Sequence, residues 1–279
     1  MTKKVEAFEQ IMEHGVDTKN RRVYFGIIDD GDSGSEFNWS SVEKAVRGLH
    51  ILASQNKQPI ELHMNSVGGN STDMLKLHDE ILASPCKVTF VGAGNIGSSA
   101  TWIMACCDYR KLHQNARVVI HDGIDSNSDR HTDFLITARW SESHMNDLYQ
   151  LYADNSRMSV EFWADICQRD VILTAEETVT LGLADEIIEP QARGNLRKAR
   201  TRRLNQIDEP AIKSLTKSIY KRINKKRNLN KIEISIKPPE YDPNLVEEKE
   251  PEESTSDSKP TKNQETVSLP QVEVDQQSD

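Results

Sequence analysis

Along the first 190 residues, apolar and polar positions follow two different periods, and the change from one to the other falls at glycines and polar turns. AFEQIMEHG (7–15) spaces its apolar residues as a helix does and stops at Gly15. RRVYFGII (21–28) is a β-rich run, followed by the polar loop DDGDSGSEFN (29–38). WSSVEKAVRGLHILAS (39–54) returns to helical spacing, with Val42, Ala45, Val46 and Leu49 on one face. PIELHMNSVGG (59–69) is a strand ending in paired glycines. STDMLKLHDEILAS (71–84) opens on capping residues and places Met74, Leu77, Ile81 and Leu82 on a common face. KVTFVGAG (87–94) is another strand, SSATWIMACC (98–107) a buried helix, and ARVVIHDG (116–123) a third glycine-terminated strand. Strands alternating with helices predict an α/β body with a mostly parallel sheet. In such folds the polar residues that do chemistry gather where strands end.

Charge divides the chain. Residues 1–190 carry a net −12, residues 191–237 a net +12 and residues 238–279 a net −9. This pattern marks a body, a basic extension and an acidic tail. The tail, with EEKEPEESTSDSKPTKNQE at its centre, lacks the apolar content to fold and is expected to be disordered. Within the extension, PAIKSLTKSIYKRINKKRNL (210–229) reads as a helix with Ile212, Leu215, Ile219 and Ile223 in one apolar stripe and a basic opposite face. KIEISIK (231–237) alternates like a short strand. The helix either docks on the acidic body or meets an acidic scaffold or capsid partner. Nucleic acid is not expected, because no aromatic stacking platform accompanies the positive charge. The four cysteines, Cys86, Cys106, Cys107 and Cys167, form no C-x-x-C pair, so neither a disulfide nor a zinc site is expected. No apolar run approaches the roughly 20 residues of a membrane span, and MTKKVEAFEQIMEHG has no signal-type apolar region. The expectation is a cytoplasmic protein without cofactors.

Three polar turns stand after strands: NSVGGN, GNIGSS and VVIHDG. In GNIGSSATWIMACC, adjacent serines stand at the mouth of an apolar helix. A serine there commonly caps the helix, yet capping needs one hydroxyl and not a glycine at both 94 and 97. A histidine ending a strand, as His121 does, is more often structural when taken alone. Asp170, in QRDVILTAEE before a helix start, is commonly a cap or a surface charge.

Together these segments resemble the proteolytic subunit of the Clp protease. That family has an N-S-P-G-G turn, matched by Asn65-Ser66-Val67-Gly68-Gly69. Its serine elbow is matched by GNIGSS with Ser98, and its R-x-M-I-H-Q strand by Arg117 to Asp122. Its aspartate segment is matched by RDVILTAEETVTLGLAD (169–185). The resemblance runs from about residue 7 to residue 190. It implies a ClpP/crotonase-like fold of repeated β-β-α units, and a serine endopeptidase with catalytic Ser98, His121 and Asp170. Gly69 and Ser99 would supply backbone N–H groups to the oxyanion, the Ser99 side chain being incidental. Val67 stands for the usual proline, Ser99 for methionine, and Asp122-Gly123 for Gln-Pro.

In the same family the helix corresponding to residues 129–156 is a handle joining two rings. The implied assembly is a homo-oligomer, heptameric or double-heptameric, closed around protein or peptide substrates. Arg169 is a candidate inter-ring contact. Its apolar positions here are Phe134, Leu135, Ala138, Leu148, Leu151 and Tyr152. With only MTKKVE before the first helix, the axial loops that dock an ATPase would be rudimentary or lost, which leaves a Clp-type ATPase partner open and makes a phage head-maturation protease a further option. The domain expectation is a peptidase domain over 1–190, a basic extension over 191–237 and a tail over 238–279. Competing readings are a crotonase-type acyl-CoA enzyme, which shares the fold but needs no serine–histidine pair, and a non-catalytic ring or capsid-assembly protein. A Ser–Lys signal-peptide-peptidase relative is a third, without a lysine at an obvious position.

Overall fold

A computed structural model describes residues 11, 13–26, 35–123, 130–188, 201–203 and 208–223, with 131–132 and 201–203 as backbone only. The KIEISIK segment, the acidic tail and most of the first helix lie outside these residues.

β1 (Val16–Asp17) and β2 (Arg22–Phe25) form a hairpin whose turn is closed by the Asp17 carboxylate accepting from the Lys19 and Asn20 amides at 3.1 and 3.0 Å. β3 (Glu36–Phe37) leads into α1 (Trp39–Gln55), which begins at a capping box. Asn38 Oδ1 accepts from the Ser41 amide, and the Ser41 hydroxyl accepts from the Asn38 amide. β4 (Ile60–Ser66), β5 (Gly68–Gly69) and α2 (Ser71–Ala83) follow, then β6 (Val88–Gly97) and α3 (Ser99–Cys106). β7 (Tyr109–His113), β8 (Arg117–Ile120), α4 (His131–Asp154), α5 (Val160–Ile166), β9 (Val171–Thr174), α6 (Ala175–Leu181) and β10 (Glu186–Ile188) complete the body. β11 (Thr201–Arg203) and α7 (Glu209–Arg222) belong to the basic extension.

The main sheet runs β1-β2-β4-β6-β7-β10-β11, with β8 and β9 branching from β6. The β2–β4, β4–β6, β6–β7, β6–β8 and β7–β10 pairs are parallel, as the alternation of strands and helices predicts. Antiparallel pairs occur at β1–β2, β10–β11 and β8–β9. β6 is the pivot of this arrangement. Its first half, Thr89–Gly92, pairs with β7, whereas Asn95–Gly97 pairs with β8. The register against β4 shifts between Met64 and Ser66. A strand that changes partner along its length delivers its end to a different layer from its start. That fork carries Gly97 and Ser98 toward β8 and β9.

The core lies between the sheet and α1 to α3. Val42, Ala45, Val46, Leu49 and Leu52 of α1 and Met74, Leu77 and Ile81 of α2 are buried. Leu82 is not: it is 63% exposed, because it lies about a quarter-turn round the helix from Ile81. A bidentate Arg110–Asp185 pair, Nε to Oδ2 at 2.9 Å and Nη2 to Oδ1 at 2.8 Å, ties β7 to the GLAD segment. All four cysteines are free thiols.

The extension helix packs on the body. Ile212, Ile219 and Tyr220 are buried, so the apolar stripe read from the sequence is covered by this chain itself. β11 adds an antiparallel strand to β10. The long helix α4 is divided. Leu148, Tyr149 and Tyr152 in its second half are in the core, while Phe134, Leu135, Ile136 and Trp140 in its first half are exposed. Among the described residues no helix is long and apolar enough to cross a membrane, and no cluster of His, Cys, Asp and Glu could hold a metal ion.

Candidate active site

Ser98 stands between β6 and α3 with φ 50° and ψ −124°. Only one other described non-glycine residue, Arg21, has positive φ. This region of backbone space is costly for an L residue, and such outliers cluster where the surroundings impose them. Here the surroundings are explicit. The Ser98 amide donates to the Val119 carbonyl of β8 at 2.9 Å. Its carbonyl accepts from the Thr101 amide at 2.8 Å and from the Thr101 hydroxyl at 2.6 Å. The Thr101 hydroxyl in turn shares a short hydrogen bond with Tyr152 of α4. The strand-to-helix turn is therefore held from both sides. Although Ser98 occupies the N-cap position, its hydroxyl makes no capping hydrogen bond. The capping role that the sequence allowed is not performed, and the half-buried hydroxyl is left for other work.

The glycine turn packs directly on this serine. Gly68 has φ 108°, and a Cβ there would stand 2.5 Å from Ser98 Cβ. Glycine is required on both counts. The turn is fastened by the Ser66 hydroxyl, which accepts from the Gly68 amide at 3.1 Å and donates to the Ser35 carbonyl. β5 is also paired in parallel with β3 through Glu36 and Phe37. The Ser99 hydroxyl donates to the Gly69 carbonyl at 2.9 Å. This corrects the expectation that the Ser99 side chain is incidental, because it bolts the glycine turn to the first turn of α3.

His121 and Asp170 are brought together by the antiparallel β8–β9 pair. The last rung of that ladder joins Ile120 to Val171, so the next residue outward on one strand is His121 and on the other Asp170. The Asp122 amide donates to the Cys167 carbonyl at 2.8 Å, which holds the end of β8 to the α5–β9 turn. His121 is half-buried and Asp170 exposed. His121 Nδ1 accepts from the Gly123 amide at 2.9 Å. No hydrogen bond joins Ser98, His121 and Asp170 to one another among the described residues. Burial, with a nearby Asp122 charge, pushes the Cys167 thiol up, and burial pushes Tyr149 up to about 12. Neither is poised to ionise near neutrality.

Ser98, Ser99, His121 and Gly69 line one cavity of about 260 Å³. Asp170 does not line it. The far wall comes from Trp102 of α3 and from Trp140, His144, Met145 and Leu148 of α4. The His144 ring stacks on Trp102 at 4.6 Å between centroids and on Trp140 at 5.3 Å. His78 meets Trp102 edge-on at 6.2 Å. The sequence reading did not find this wall. Its one trace in the sequence is the i, i+4 spacing of Trp140 and His144 on α4.

The arrangement offers a hydroxyl, an imidazole and a helix N-terminus at one apolar-walled cleft, which suits acyl transfer. A family model described as Clp protease matches residues 31–191. The ATP-dependent Clp protease proteolytic subunit 1 of Rhodopirellula baltica is 27% identical over 156 residues, covering 55% of this chain and 69% of the relative. Subunit 2 of Pseudomonas aeruginosa is 29% identical over 145 residues, 51% of this chain and 72% of the relative. Subunit 2 of Mycolicibacterium paratuberculosis is 24% identical over 158 residues, 56% of this chain and 79% of the relative. The matched span of the family model takes in the glycine turn, the Ser98 elbow, the His121 strand and the segment around Asp170, and this chain belongs to the Clp protease family.

Proposed function

We propose that this protein is a serine endopeptidase working through Ser98, His121 and Asp170. The observation that carries the reading is the shared cavity of Ser98, His121, Gly69 and Ser99, with the serine on a positive-φ elbow and its hydroxyl unused as a cap. In the reaction, His121 Nε2 takes the Ser98 proton as Oγ attacks the scissile carbonyl, and then delivers that proton to the leaving amine. Water repeats the sequence on the acyl-enzyme. Asp170 stabilises the imidazolium from the neighbouring strand. The Gly69 and Ser99 amides receive the oxyanion, aided by the positive end of α3.

Residues 134–140 of α4 support a ring. Four large apolar side chains lie exposed on one stretch of helix, more than a lone soluble chain would leave uncovered. The relatives' names describe ATP-dependent subunits. For this chain we propose that short peptides are cleaved without ATP, since the cavity chemistry requires none.

The test is labelling by a fluorophosphonate probe together with hydrolysis of short fluorogenic peptides. Ser98→Ala should abolish both. Hydrolysis that survives Ser98→Ala would overturn the reading.

A further inference from the structure

The imidazole of His121 is held in the wrong tautomer for the reaction proposed above. A backbone N–H can donate only to a ring nitrogen that carries a lone pair. With the Gly123 amide 2.9 Å from Nδ1, the proton of the neutral ring is on Nε2. A general base for Ser98 needs the reverse: a bare Nε2 toward the hydroxyl, and Nδ1–H toward an acceptor such as Asp170.

Resting on that reading, we propose that Gly123 is a positioning residue whose amide locks His121 in a resting tautomer, and that this bond must open before Ser98 can be activated. Two observations converge on it. The Gly123 N–H lies in the Asp122–Gly123 peptide plane, and that plane is turned so that it points back at the ring two residues earlier, 2.9 Å from Nδ1. The amide competes for the same nitrogen that Asp170 would use, and no His121–Asp170 hydrogen bond is formed.

Gly123 lines the cavity beside Ser98 and His121, so the lock sits at the site itself. Opening it lets Nδ1 take a proton from solvent as Nε2 releases its own to solvent, after which the ring can present Nδ1–H to Asp170.

Two variants separate the amide from the backbone conformation. Gly123→Pro removes the donor. Gly123→Ala keeps it but disfavours positive φ, and its Cβ meets nothing within 4 Å, so packing is undisturbed. The full chain, labelled with ¹⁵N-histidine, is examined at a pH where the imidazole is neutral. The expected result is a bare Nδ1 on His121 in the unsubstituted protein and in Gly123→Ala, and a gain of Nδ1–H population in Gly123→Pro. With it, kcat for a short peptide should rise about three- to tenfold, the worth of one hydrogen bond, at unchanged KM. A His121 proton already on Nδ1 in the unsubstituted chain overturns the proposal. So does an unchanged spectrum or an unchanged kcat in Gly123→Pro. Loss of hydrolysis in Ser98→Ala checks the underlying reading separately, and the tautomer measurement does not depend on it.

Discussion

Tyr220 of α7 places its hydroxyl 3.3 Å from Asp165 Oδ2 in the core, with its ring edge-on to Phe162 at 6.0 Å. The basic extension therefore supplies core side chains to the body that precedes it. Arg222 adds a second link, donating to the Ile172 carbonyl at 3.1 Å and to Glu177 at 3.1 Å.

Removing a buried side chain from α7 should destabilise the whole body. Ile219 is fully buried, and Ile219→Ala is expected to cost about 2–4 kcal/mol. Denaturant unfolding should show one shifted transition for all probes. A separate early transition confined to α7 would mean that the helix is a detachable appendage.

Ser99→Ala should slow peptide turnover without stopping it. The substitution removes the hydroxyl bond to the Gly69 carbonyl, worth about 1 kcal/mol. The fall in kcat should be of the order of fivefold. Steady-state kinetics decides this, and a loss as complete as that in Ser98→Ala would reassign the nucleophile.

Asp170→Asn should lower kcat by about three to four orders of magnitude while leaving the melting temperature close to that of the parent. The magnitude is the one that follows when a catalytic histidine loses its anionic partner. The side chain is exposed, so its loss should leave packing intact. Near-normal turnover in Asp170→Asn would remove Asp170 from the mechanism.

Much of this was legible in the sequence because it is local. Helical and strand periods are set by which neighbours share a face, and Val42 to Leu49 behave as that spacing requires. Asp170 could be placed because the residues after it form a recognisable cap and helix, with Thr174 accepting from the Glu177 amide and the Glu177 carboxylate accepting from the Thr174 amide. β7 is hard to read because Arg110, Lys111 and His113 fill most of it, leaving only Tyr109 and Leu112 buried, three residues apart, with no alternation to show. The wall of Trp102, Trp140 and His144 was invisible for another reason. Its members come from two helices, and only the fold of α4 over α3 makes them neighbours. The Gly123 amide on His121 is likewise a matter of how the Asp122–Gly123 peptide is turned, which the sequence does not declare.

Acid should weaken the protein through Glu61. His63 donates to its carboxylate at 2.9 Å and Arg22 at 2.8 Å. The His63 hydrogen bond, followed by that from Arg22, outweighs burial and holds its pKa down at about 2 against an ordinary 4.5. A carboxylate depressed on folding stabilises at pH values above its unfolded pKa, and the contribution is lost as pH falls from about 4.5 through about 2. Glu61→Gln should therefore flatten the acid limb of a stability profile between those values. An unchanged acid limb would mean the pair is broken in solution.

Charge placed on the first half of α4 should block assembly and spare the fold. Leu135 is 44% exposed and Ile136 62% exposed, so Leu135→Glu or Ile136→Glu meets water in a single chain. Sedimentation should shift from a large species to a small one, with the far-ultraviolet circular dichroism retained. An unchanged sedimentation coefficient would place the contact elsewhere.

The elbow at Ser98 sets durability and chemistry against each other at one residue. A left-handed serine carries about 1–3 kcal/mol of backbone strain, which a glycine at the same position would relieve. The parent chain is thus kept below the ceiling its own core could reach, and the deficit is localised to the residue that would do the work. Screening variants of this protein for heat resistance alone would then enrich silent enzymes.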